Sequence, residues 1–303
     1  MSQRVKRARR SQLSVPGSSE KMLQKAAGSA ADHVFCDLED AVAPSVKVEA
    51  RSKIAWALNN LDWGRKTRCV RINDVTTEFC HGDIIEIVEK AGKNVDTIML
   101  TKPYTASDVL FLDRMLGQLE KRLKLERRIG IEVLIEEVQA LQNVEAIATC
   151  SDRMECLIFG MGDYSASQGI DVAKIGDTGN YPGDLFHYAR FRIAMAARAA
   201  GLDAVDGPFG DFSDDAGYRE EARRAKALGM IGKWAIHPNQ IAPALAVFSP
   251  SQEEVDRARK LAAAYYEAEA KGLGAAQVDG VMIDVAVVRL VRNTLDLADL
   301  YGL

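Results

Sequence analysis

The feature that most limits the fold of this chain is a regular alternation between short apolar runs and longer amphipathic segments. Eight short runs have the length and composition of buried strands, at residues 12–15, 33–38, 68–72, 96–101, 129–135, 155–160, 203–207 and 232–237. Strands that alternate with segments of helical length favour parallel βα units. Eight such units over about 240 residues predict a closed (β/α)8 barrel, with a doubly wound open sheet as the competing topology.

Two further helical segments follow the eighth strand, at residues 251–272 and 282–300, and a loop-like stretch, GAAQVDGVMID, joins them. Eight units already close a barrel, so we predict a barrel domain over residues 1–248 and a helical arm over residues 249–303. Apolar residues recur at helical spacing in both segments, and such faces must be buried against something. The arm is therefore either a lid or a contact with another subunit.

Composition narrows the choice of partners. The formal net charge of −4 gives no general reason to expect nucleic acid or an anionic membrane as a partner. No apolar stretch reaches the roughly 20 residues of a membrane helix, and the N-terminus lacks the apolar segment of a secretory signal. The five cysteines fit no metal-binding spacing, so we interpret them as buried free thiols in a reducing cytoplasm.

A basic stretch, RVKRARR, lies near the N-terminus. It is either a solvated tail or a clamp for a phosphate group, because arginine presents a fork of donors to phosphate.

Charged residues lie at or near the carboxyl end of nearly every predicted strand, where a barrel places its reactive groups. They are Glu39, Asp40, Arg71, Lys102, Glu132, Asp163, Asp206 and His237. For Asp206 a packing or capping role is favoured. Glu132 lies inside an apolar run and Asp163 closes another, and a carboxylate there is costly unless it is paired or binds a metal. Two carboxylates from neighbouring strands suit Mg²⁺, whereas no His/Cys cluster indicates zinc. The glycines beside Asp163 predict a sharp turn into a loop.

Several stretches together resemble the malyl-CoA lyases, which belong to the citrate lyase β subunit-like (HpcH/HpaI aldolase) family. They are RSQLSVPGSSEKM, VFCDLEDAVAP, WGRKTRCVRIN, IGIEVLIE, FGMGDYSAS, VDGPFGDFSD, GKWAIHPNQI and VDGVMID. The DLEDAV segment marks the wider group. The pairing of GPFGDFSD with GKWAIHP points more narrowly to malyl-CoA and β-methylmalyl-CoA lyases.

The resemblance implies a magnesium-dependent barrel, with Mn²⁺ as an alternative ion. It implies that the metal ligands are Glu132 and Asp163 and that the active-site arginine is Arg71. It further implies a catalytic aspartate at Asp284, in the arm, which acts in the site of a neighbouring subunit. The chain would then be a homo-oligomer, a trimer or a hexamer.

The same resemblance gives roles to residues around the metal. Glu39 and Asp40 would line the metal pocket behind the ligands, and Lys102 would be a basic residue at its rim. Arg10 matches an arginine near the CoA-binding side. His237 would orient the arm or the pantetheine, or support the structure.

The expected reaction breaks a 3-hydroxyacyl-CoA such as malyl-CoA, β-methylmalyl-CoA or citramalyl-CoA into an acyl-CoA and a 2-oxo acid, glyoxylate or pyruvate. Mg²⁺ would act as a Lewis acid, Arg71 would stabilise the thioester enolate, and Asp284 would move the proton. Two alternatives stay open: a thioesterase that uses the same metal site, and a subunit that serves an acyl carrier.

One region departs from the pattern of the family. After FGMGDYSAS only QGIDVAKIGDTGNYP precedes the next helical segment, where malyl-CoA lyases carry a longer insertion. FGMGD also replaces the more usual FGVAD. Both changes lie beside the expected pocket for the 2-oxo acid, so the identity of that acid stays open.

Overall fold

A computed structural model describes residues 5–172, 174–175 and 183–303 of the chain. The backbone divides into two compact units: residues 9–246, and residues 247–303 together with Lys6–Ala8. Each unit has its own apolar interior.

The first unit is a closed barrel of eight parallel strands. They are β1 (Ser11–Pro16), β2 (His33–Asp37), β3 (Thr67–Arg71), β4 (Thr97–Leu100), β5 (Gly130–Ile135), β6 (Met154–Phe159), β7 (Asp203–Asp206) and β8 (Gly232–Ala235). Each strand pairs with the next, and β8 closes the barrel on β1 with Trp234 opposite Gln12. The closure confirms the predicted (β/α)8 barrel and excludes the open sheet. Every predicted strand is present, and its ends are correct to within two residues.

Helices follow the strands and surround the barrel. They are α1 (Glu20–Ala27), α2 (Lys47–Asn60), α3 (Cys80–Ala91), α4 (Ala106–Leu123), α5 (Val138–Gln142), α6 (Val144–Thr149), α7 (Met161–Gln168), α8 (His187–Ala200), α9 (Asp215–Ala227) and α10 (Ile241–Phe248). The prediction of a loop at Asp163 was wrong, because α7 begins directly after Gly160. A carboxylate in the first turn of a helix interacts favourably with the helix dipole, which is consistent with Asp163 at this position.

Alternate residues of each strand point into the barrel, and they form layers along its axis. The middle layer is apolar and includes Phe35, Met99, Leu134, Ile158 and Trp234. The rings of Phe35 and Trp234 lie 4.5 Å apart. This layer fills the centre of the barrel and separates a charged layer at the amino ends of the strands from another at their carboxyl ends.

Glu132 lies in the layer at the amino ends of the strands, and this contradicts the expectation that it meets Asp163 at the barrel mouth. Its side chain is fully buried and pairs with the guanidinium of Arg9. It also accepts a hydrogen bond from the hydroxyl of Thr97 at 2.8 Å and lies 3.0 Å from Nε2 of His33. Burial alone would raise the pKa of Glu132, but Arg9 and then His33 outweigh burial and hold that pKa well below its usual value.

The basic stretch near the N-terminus is neither a free tail nor a phosphate clamp at Arg9 and Arg10. Arg9 is fully buried, and its guanidinium also donates to Glu155 at 2.8 Å and to Asp203 at 3.0 Å. Arg10 forms a two-pronged pair with Asp32, at 2.7 and 2.8 Å. Arg10 immediately precedes β1 and therefore lies at the amino end of the barrel. This position contradicts the expectation that it lies at the CoA-binding side.

Asp206, the last residue of β7, has contacts that agree with the packing role favoured for it. Its carboxylate is fully buried, accepts from Nζ of Lys233 at 2.7 Å and from Nε of Arg190 at 2.8 Å. Arg190 belongs to α8, so this pair joins the barrel wall to a surrounding helix.

The second unit contains two long helices and a hairpin. They are α11 (Gln252–Ala270), β9 (Ala276–Val278), β10 (Val281–Ile283) and α12 (Val285–Tyr301). The hairpin corrects the prediction of a loop there. Asp279 and Gly280 both have positive φ, at 51° and 80°, and an Asp-Gly pair is the preferred tight turn between antiparallel strands. Apolar faces of both helices pack together around Leu261, Tyr265 and Val288, as the helical spacing predicted.

All five cysteines are free thiols, as predicted; four are buried and Cys150 is half-buried. No helix within the described residues has the length and apolar character needed to span a bilayer.

The corrected position of Glu132 predicts an effect on stability. The change Glu132→Gln removes one partner of a buried ion pair, which typically costs about 3–5 kcal/mol. Because Arg9 keeps Glu155 and Asp203 as partners, we expect a loss of about 3 kcal/mol in the free energy of unfolding, measured by urea denaturation. The Mg²⁺ affinity of the folded variant should stay at the wild-type value. Unchanged stability with lost Mg²⁺ binding would contradict this placement.

Candidate active site

Charged side chains converge at the carboxyl ends of strands β2 to β6. Asp37 and Arg71 are the last residues of β2 and β3, and Glu136 directly follows β5. Lys102 lies two residues after β4, and Asp163 lies in the first turn of α7, which follows β6. Barrel enzymes carry their reactive groups at this end. The cluster is therefore the candidate active site of the barrel.

Arg71 is held rigidly at the centre of the cluster. It is 6% exposed, and its Nε and Nη2 donate to the two oxygens of Asp37 at 2.7 and 2.5 Å. Its third nitrogen, Nη1, lies 3.1 Å from Oε2 of Glu39. Burial alone would lower the pKa of the Arg71 guanidinium, but Asp37 and Glu39 outweigh burial and hold that pKa above its usual value. A cation in this setting stays charged at any pH at which the protein is folded.

Lys102 joins the acids of the site to one another. Its backbone has a positive φ of 46°, a conformation that costs a non-glycine residue of order 1–3 kcal/mol. In this conformation its N–H donates to Oε1 of Glu136 at 3.0 Å. Its ammonium group donates to Glu39 at 2.5 Å and lies 3.9 Å from Asp163. The ammonium group is therefore already paired with carboxylates at the rim.

We predicted Glu132 at the barrel mouth beside Asp163, but the glutamate that lies there is Glu136. Glu132 lies on β5 and Glu136 directly follows that strand, four residues later, so both point into the barrel. Four residues of extended chain span about 13 Å. Leu134 lies between them in the apolar layer. Burial raises the pKa of Glu136 well above its usual value, and the nearby Asp163 carboxylate raises it further. The sequence analysis did not identify Glu136 as a site residue, although its position directly after a predicted strand could have indicated it.

The glycine before α7 makes room for this acid. A Cβ on Gly160 would lie 2.5 Å from Cβ of Glu136 and 2.7 Å from its Oε2, distances that real structures do not allow. Gly160 therefore lets the start of α7, with Asp163, approach Glu136.

The site carries an excess of negative charge. Among the described residues of this cluster, the carboxylates are Asp37, Glu39, Asp40, Glu136 and Asp163, and the cations are Lys47, Arg71 and Lys102. Five acids against three bases leave two negative charges uncompensated. Burial also raises the pKa of Glu39 to about 6, against the opposing effect of Arg71. Asp40 and Asp163 are partly exposed, so the excess extends to the open rim, where a divalent cation can reach it and relieve it.

The donor set fits Mg²⁺. Glu136 and Asp163 offer only carboxylate oxygens, the ligands that Mg²⁺ prefers, and Asp163 is partly exposed, which leaves room for the waters that this ion keeps. His33, Cys69 and Glu132 also lie close enough together to share an ion. However, Arg9 already neutralises Glu132 in that group.

His237 lies at the mouth, two residues after β8. Its Nδ1 accepts the N–H of Asn239 at 3.2 Å, and its ring stacks on Phe212 with the two centroids 4.7 Å apart. It therefore caps the turn after β8 and presents an aromatic pair at the rim.

Asp284 belongs to the second unit, where it begins α12. Its Oδ1 accepts both capping hydrogen bonds, from the N–H groups of Ala286 and Val287 at 2.9 and 3.1 Å. The cap fixes the carboxylate and does not use its other oxygen. The catalytic role of Asp284 stays a prediction. Most of the shortened segment after FGMGDYSAS, at residues 173 and 176–182, lies outside the described residues.

Comparison with known proteins identifies the family of the chain. The model of the HpcH/HpaI aldolase/citrate lyase family matches residues 10–238. The chain belongs to this family. The chain is similar to the L-malyl-CoA/β-methylmalyl-CoA lyase of Cereibacter sphaeroides, which is 42% identical over 293 residues, covering 93% of this chain and 92% of that protein.

Two further similar proteins extend the comparison. The mitochondrial citramalyl-CoA lyase of Rattus norvegicus is 33% identical over 300 residues, covering 96% of this chain and 86% of that protein. The crystal structure of CitE from Mycobacterium tuberculosis, in complex with magnesium, acetoacetate and coenzyme A, has a TM-score of 0.75 and 29% identity, and covers 96% of this chain and 98% of that one.

The geometry predicts which glutamate controls metal affinity. The change Glu136→Gln should raise the Mg²⁺ dissociation constant, measured by calorimetry, by at least tenfold, because even outer partners of metal ligands contribute 10–100-fold. The matched control is Glu132→Gln on the same strand, which should bind Mg²⁺ like the wild type. Lowering the pH from 7.5 to 5.5 should weaken binding to the wild type, because protons on Glu39 and Glu136 compete with the ion. The reverse order of the two variants would restore Glu132 as the ligand.

Proposed function

We propose that this protein is a magnesium-dependent carbon–carbon lyase that cleaves a 3-hydroxyacyl-CoA into an acyl-CoA and a 2-oxo acid, and that also catalyses the reverse condensation. The observation that carries the proposal is the convergence of Glu136 and Asp163 on Lys102, beside the fixed guanidinium of Arg71. The 42% identity to a malyl-CoA/β-methylmalyl-CoA lyase over 93% of the chain supports the choice of substrate class.

The metal site supplies the electrophilic half of the reaction. Glu136 and Asp163 would hold Mg²⁺, which when bound acts as a Lewis acid on the oxygens of the 2-oxo acid. The CitE structure with magnesium, acetoacetate and coenzyme A supports this arrangement. Lys102 arranges the acids around the site, since its ammonium group contacts Glu39 and lies near Asp163.

Arg71 supplies the stabilisation of negative charge. In cleavage the hydroxyl group on the β carbon gives up its proton to water and becomes the carbonyl of the 2-oxo acid. The electron pair of the bond between the α and β carbons moves onto the thioester, which becomes an enolate. A fixed guanidinium in a site of low exposure stabilises such a charge far more than water does, because it needs no reorganisation. The edge at Nη1 faces away from Asp37 and is the edge that would meet the enolate oxygen.

Asp284 moves the proton in this proposal. In cleavage it returns a proton to the enolate carbon, and in condensation it removes one from the methyl group of the acyl-CoA. The cap at the start of α12 uses only one oxygen of its carboxylate. We propose that Asp284 acts in the barrel of a neighbouring subunit, so that residues 249–303 form an arm and the active enzyme is a homo-oligomer, a trimer or a hexamer.

The remaining contacts of the substrate are assigned to the rim. His237 with its stacked partner Phe212 would lie along the pantetheine of the CoA thioester. The buried free thiols are consistent with the reducing cytoplasm as the location.

A product assay tests the proposal against its alternatives. Purified protein with Mg²⁺ is given malyl-CoA, β-methylmalyl-CoA or citramalyl-CoA, and the acyl-CoA, the 2-oxo acid and free CoA are measured. Equal amounts of acyl-CoA and 2-oxo acid support the lyase. Release of free CoA with the intact hydroxy acid indicates a thioesterase. Activity only on an acyl carrier indicates a carrier-linked subunit.

The same assay tests Arg71. The change Arg71→Lys keeps the charge but removes the planar fork that Asp37 holds. We expect kcat to fall on the order of 10²-fold or more, the scale for loss of one oxyanion donor. A wild-type kcat for Arg71→Lys would assign Arg71 to structure alone.

Mixing of inactive variants tests the arm. Neither Asp284→Ala nor Glu136→Gln should be active alone. After subunit exchange, some sites would combine an intact barrel from one chain with an intact arm from the other, so part of the activity should return. Exchange shown by mass spectrometry without any return of activity would mean that Asp284 serves its own barrel or is not catalytic.

A further inference from the structure

Asp37 is the acid closest to Arg71. It begins the DLED motif, but the sequence analysis gave it no role. Its carboxylate is fully buried and accepts four hydrogen bonds. Two come from Nε and Nη2 of Arg71, at 2.7 and 2.5 Å. The other two come from the N–H groups of Glu39 and Ala41, at 2.8 and 3.0 Å. A carboxylate with four donors around it has no freedom to turn.

This arrangement holds the guanidinium group of Arg71 in one orientation. The two-pronged contact uses the Nε–Nη2 edge and leaves Nη1 on the opposite side, toward the acids of the site. The aromatic rings of Phe35 and Trp234 lie 5.7 and 5.5 Å from the guanidinium carbon and support it from the apolar layer of the barrel. Asp37 therefore occupies one edge of the guanidinium, and the two aromatic rings support it from the apolar layer.

Other carboxylates compete for the same guanidinium. Glu39 already contacts Nη1, and Glu136 acts on Arg71 through its charge. Without a stronger partner, Arg71 would turn toward Glu136 and neutralise an acid that is needed for the metal. Asp37 prevents this, because a two-pronged arginine–carboxylate pair is stronger and more directional than a single contact.

We propose that Asp37 is the positioning residue of the reaction: it aims Nη1 of Arg71 at the thioester oxygen of the substrate and keeps Arg71 away from the metal ligands. The proposal rests on the proposed function, since that function gives Arg71 its role at the enolate. Asp37 itself does not contact the substrate. It acts through Arg71 and, by accepting the N–H of Glu39, through the turn that carries the acids at the rim.

The central experiment compares Asp37→Asn with the wild type in the lyase assay. We expect kcat to fall about 10²-fold, because a displacement of about 1 Å of a catalytic group has an effect of that size. The KM should stay within threefold of wild type, because Asp37 does not contact the substrate. The Mg²⁺ dissociation constant should rise, because an Arg71 released from Asp37 would turn toward Glu136. A kcat within threefold of wild type would overturn the proposal.

A matched control separates positioning from folding. Asp206 is also a fully buried last residue of a barrel strand and also holds an arginine, Arg190, at 2.8 Å. The change Asp206→Asn should lower the thermal midpoint of unfolding, while kcat per folded molecule stays within threefold of wild type. An equal loss of kcat in both variants would mean that any buried acid in the barrel has this effect, and would overturn the proposal.

A double-variant cycle tests whether Asp37 acts through Arg71. In an Arg71→Ala background, the further change Asp37→Asn should reduce kcat by less than threefold, because the group that it positions is already absent. Retention of the full loss in that background would show that Asp37 acts by another route.

Two further measurements keep the test decisive. Should Asp37→Asn fail to fold, Asp37→Glu keeps the charge and moves it by one methylene. We then expect a loss of kcat of at least tenfold, and a wild-type kcat would overturn the proposal.

Absence of lyase activity in the wild type would refute the proposed function instead. In that case a crystal structure of Asp37→Asn decides the positioning role: a displaced guanidinium supports it, and an unmoved one overturns it.

Discussion

The structure depends on how charge is distributed inside a closed parallel barrel. Every second side chain of each strand points inward, so a charged residue there must find an opposite charge or a ligand. The apolar layer around Leu134 and Trp234 divides the interior in two. Charges at the amino ends of the strands therefore have to be balanced separately from those at the carboxyl ends.

The two ends meet this requirement in opposite ways. At the amino end, the single guanidinium of Arg9 satisfies Glu132, Glu155 and Asp203 together, and it ties the segment before β1 into the barrel. That end is closed and contributes to stability. At the carboxyl end, Arg71 and Lys102 are outnumbered by acids, and burial together with the nearby Asp163 carboxylate raises the pKa of Glu136. The acids at the carboxyl end include the partly exposed Asp163 and are accessible to a cation, whereas Glu132 at the amino end is fully buried against Arg9. The chemistry is therefore located at the accessible end.

Prediction from the sequence succeeded where it depended on pattern. The eight strands and their order follow from the alternation of apolar and amphipathic segments, and the family follows from motifs such as VFCDLEDAV. The expectation that Glu132 meets Asp163 at the barrel mouth was wrong because it depended on depth in the barrel. Glu132 and Glu136 have the same direction on β5, and a two-residue period cannot tell which of them reaches the mouth. The prediction that Arg10 lies at the CoA-binding side was wrong for the same reason. Arg10 directly precedes β1 and therefore lies at the amino end of the barrel.

The sequence by itself determined the (β/α)8 barrel, the helical character of the C-terminal segments, the family and the chemical types available at the strand ends. These properties depend on local periodicity and on short motifs, which are present in the chain before it folds. Only the tertiary structure decided which carboxylates share a layer, that Arg9 neutralises Glu132, and that Asp37 holds Arg71. These pairs join residues up to 123 positions apart, as between Arg9 and Glu132. Their partners are set by strand register and by depth in the barrel, two quantities that exist only once the barrel has closed.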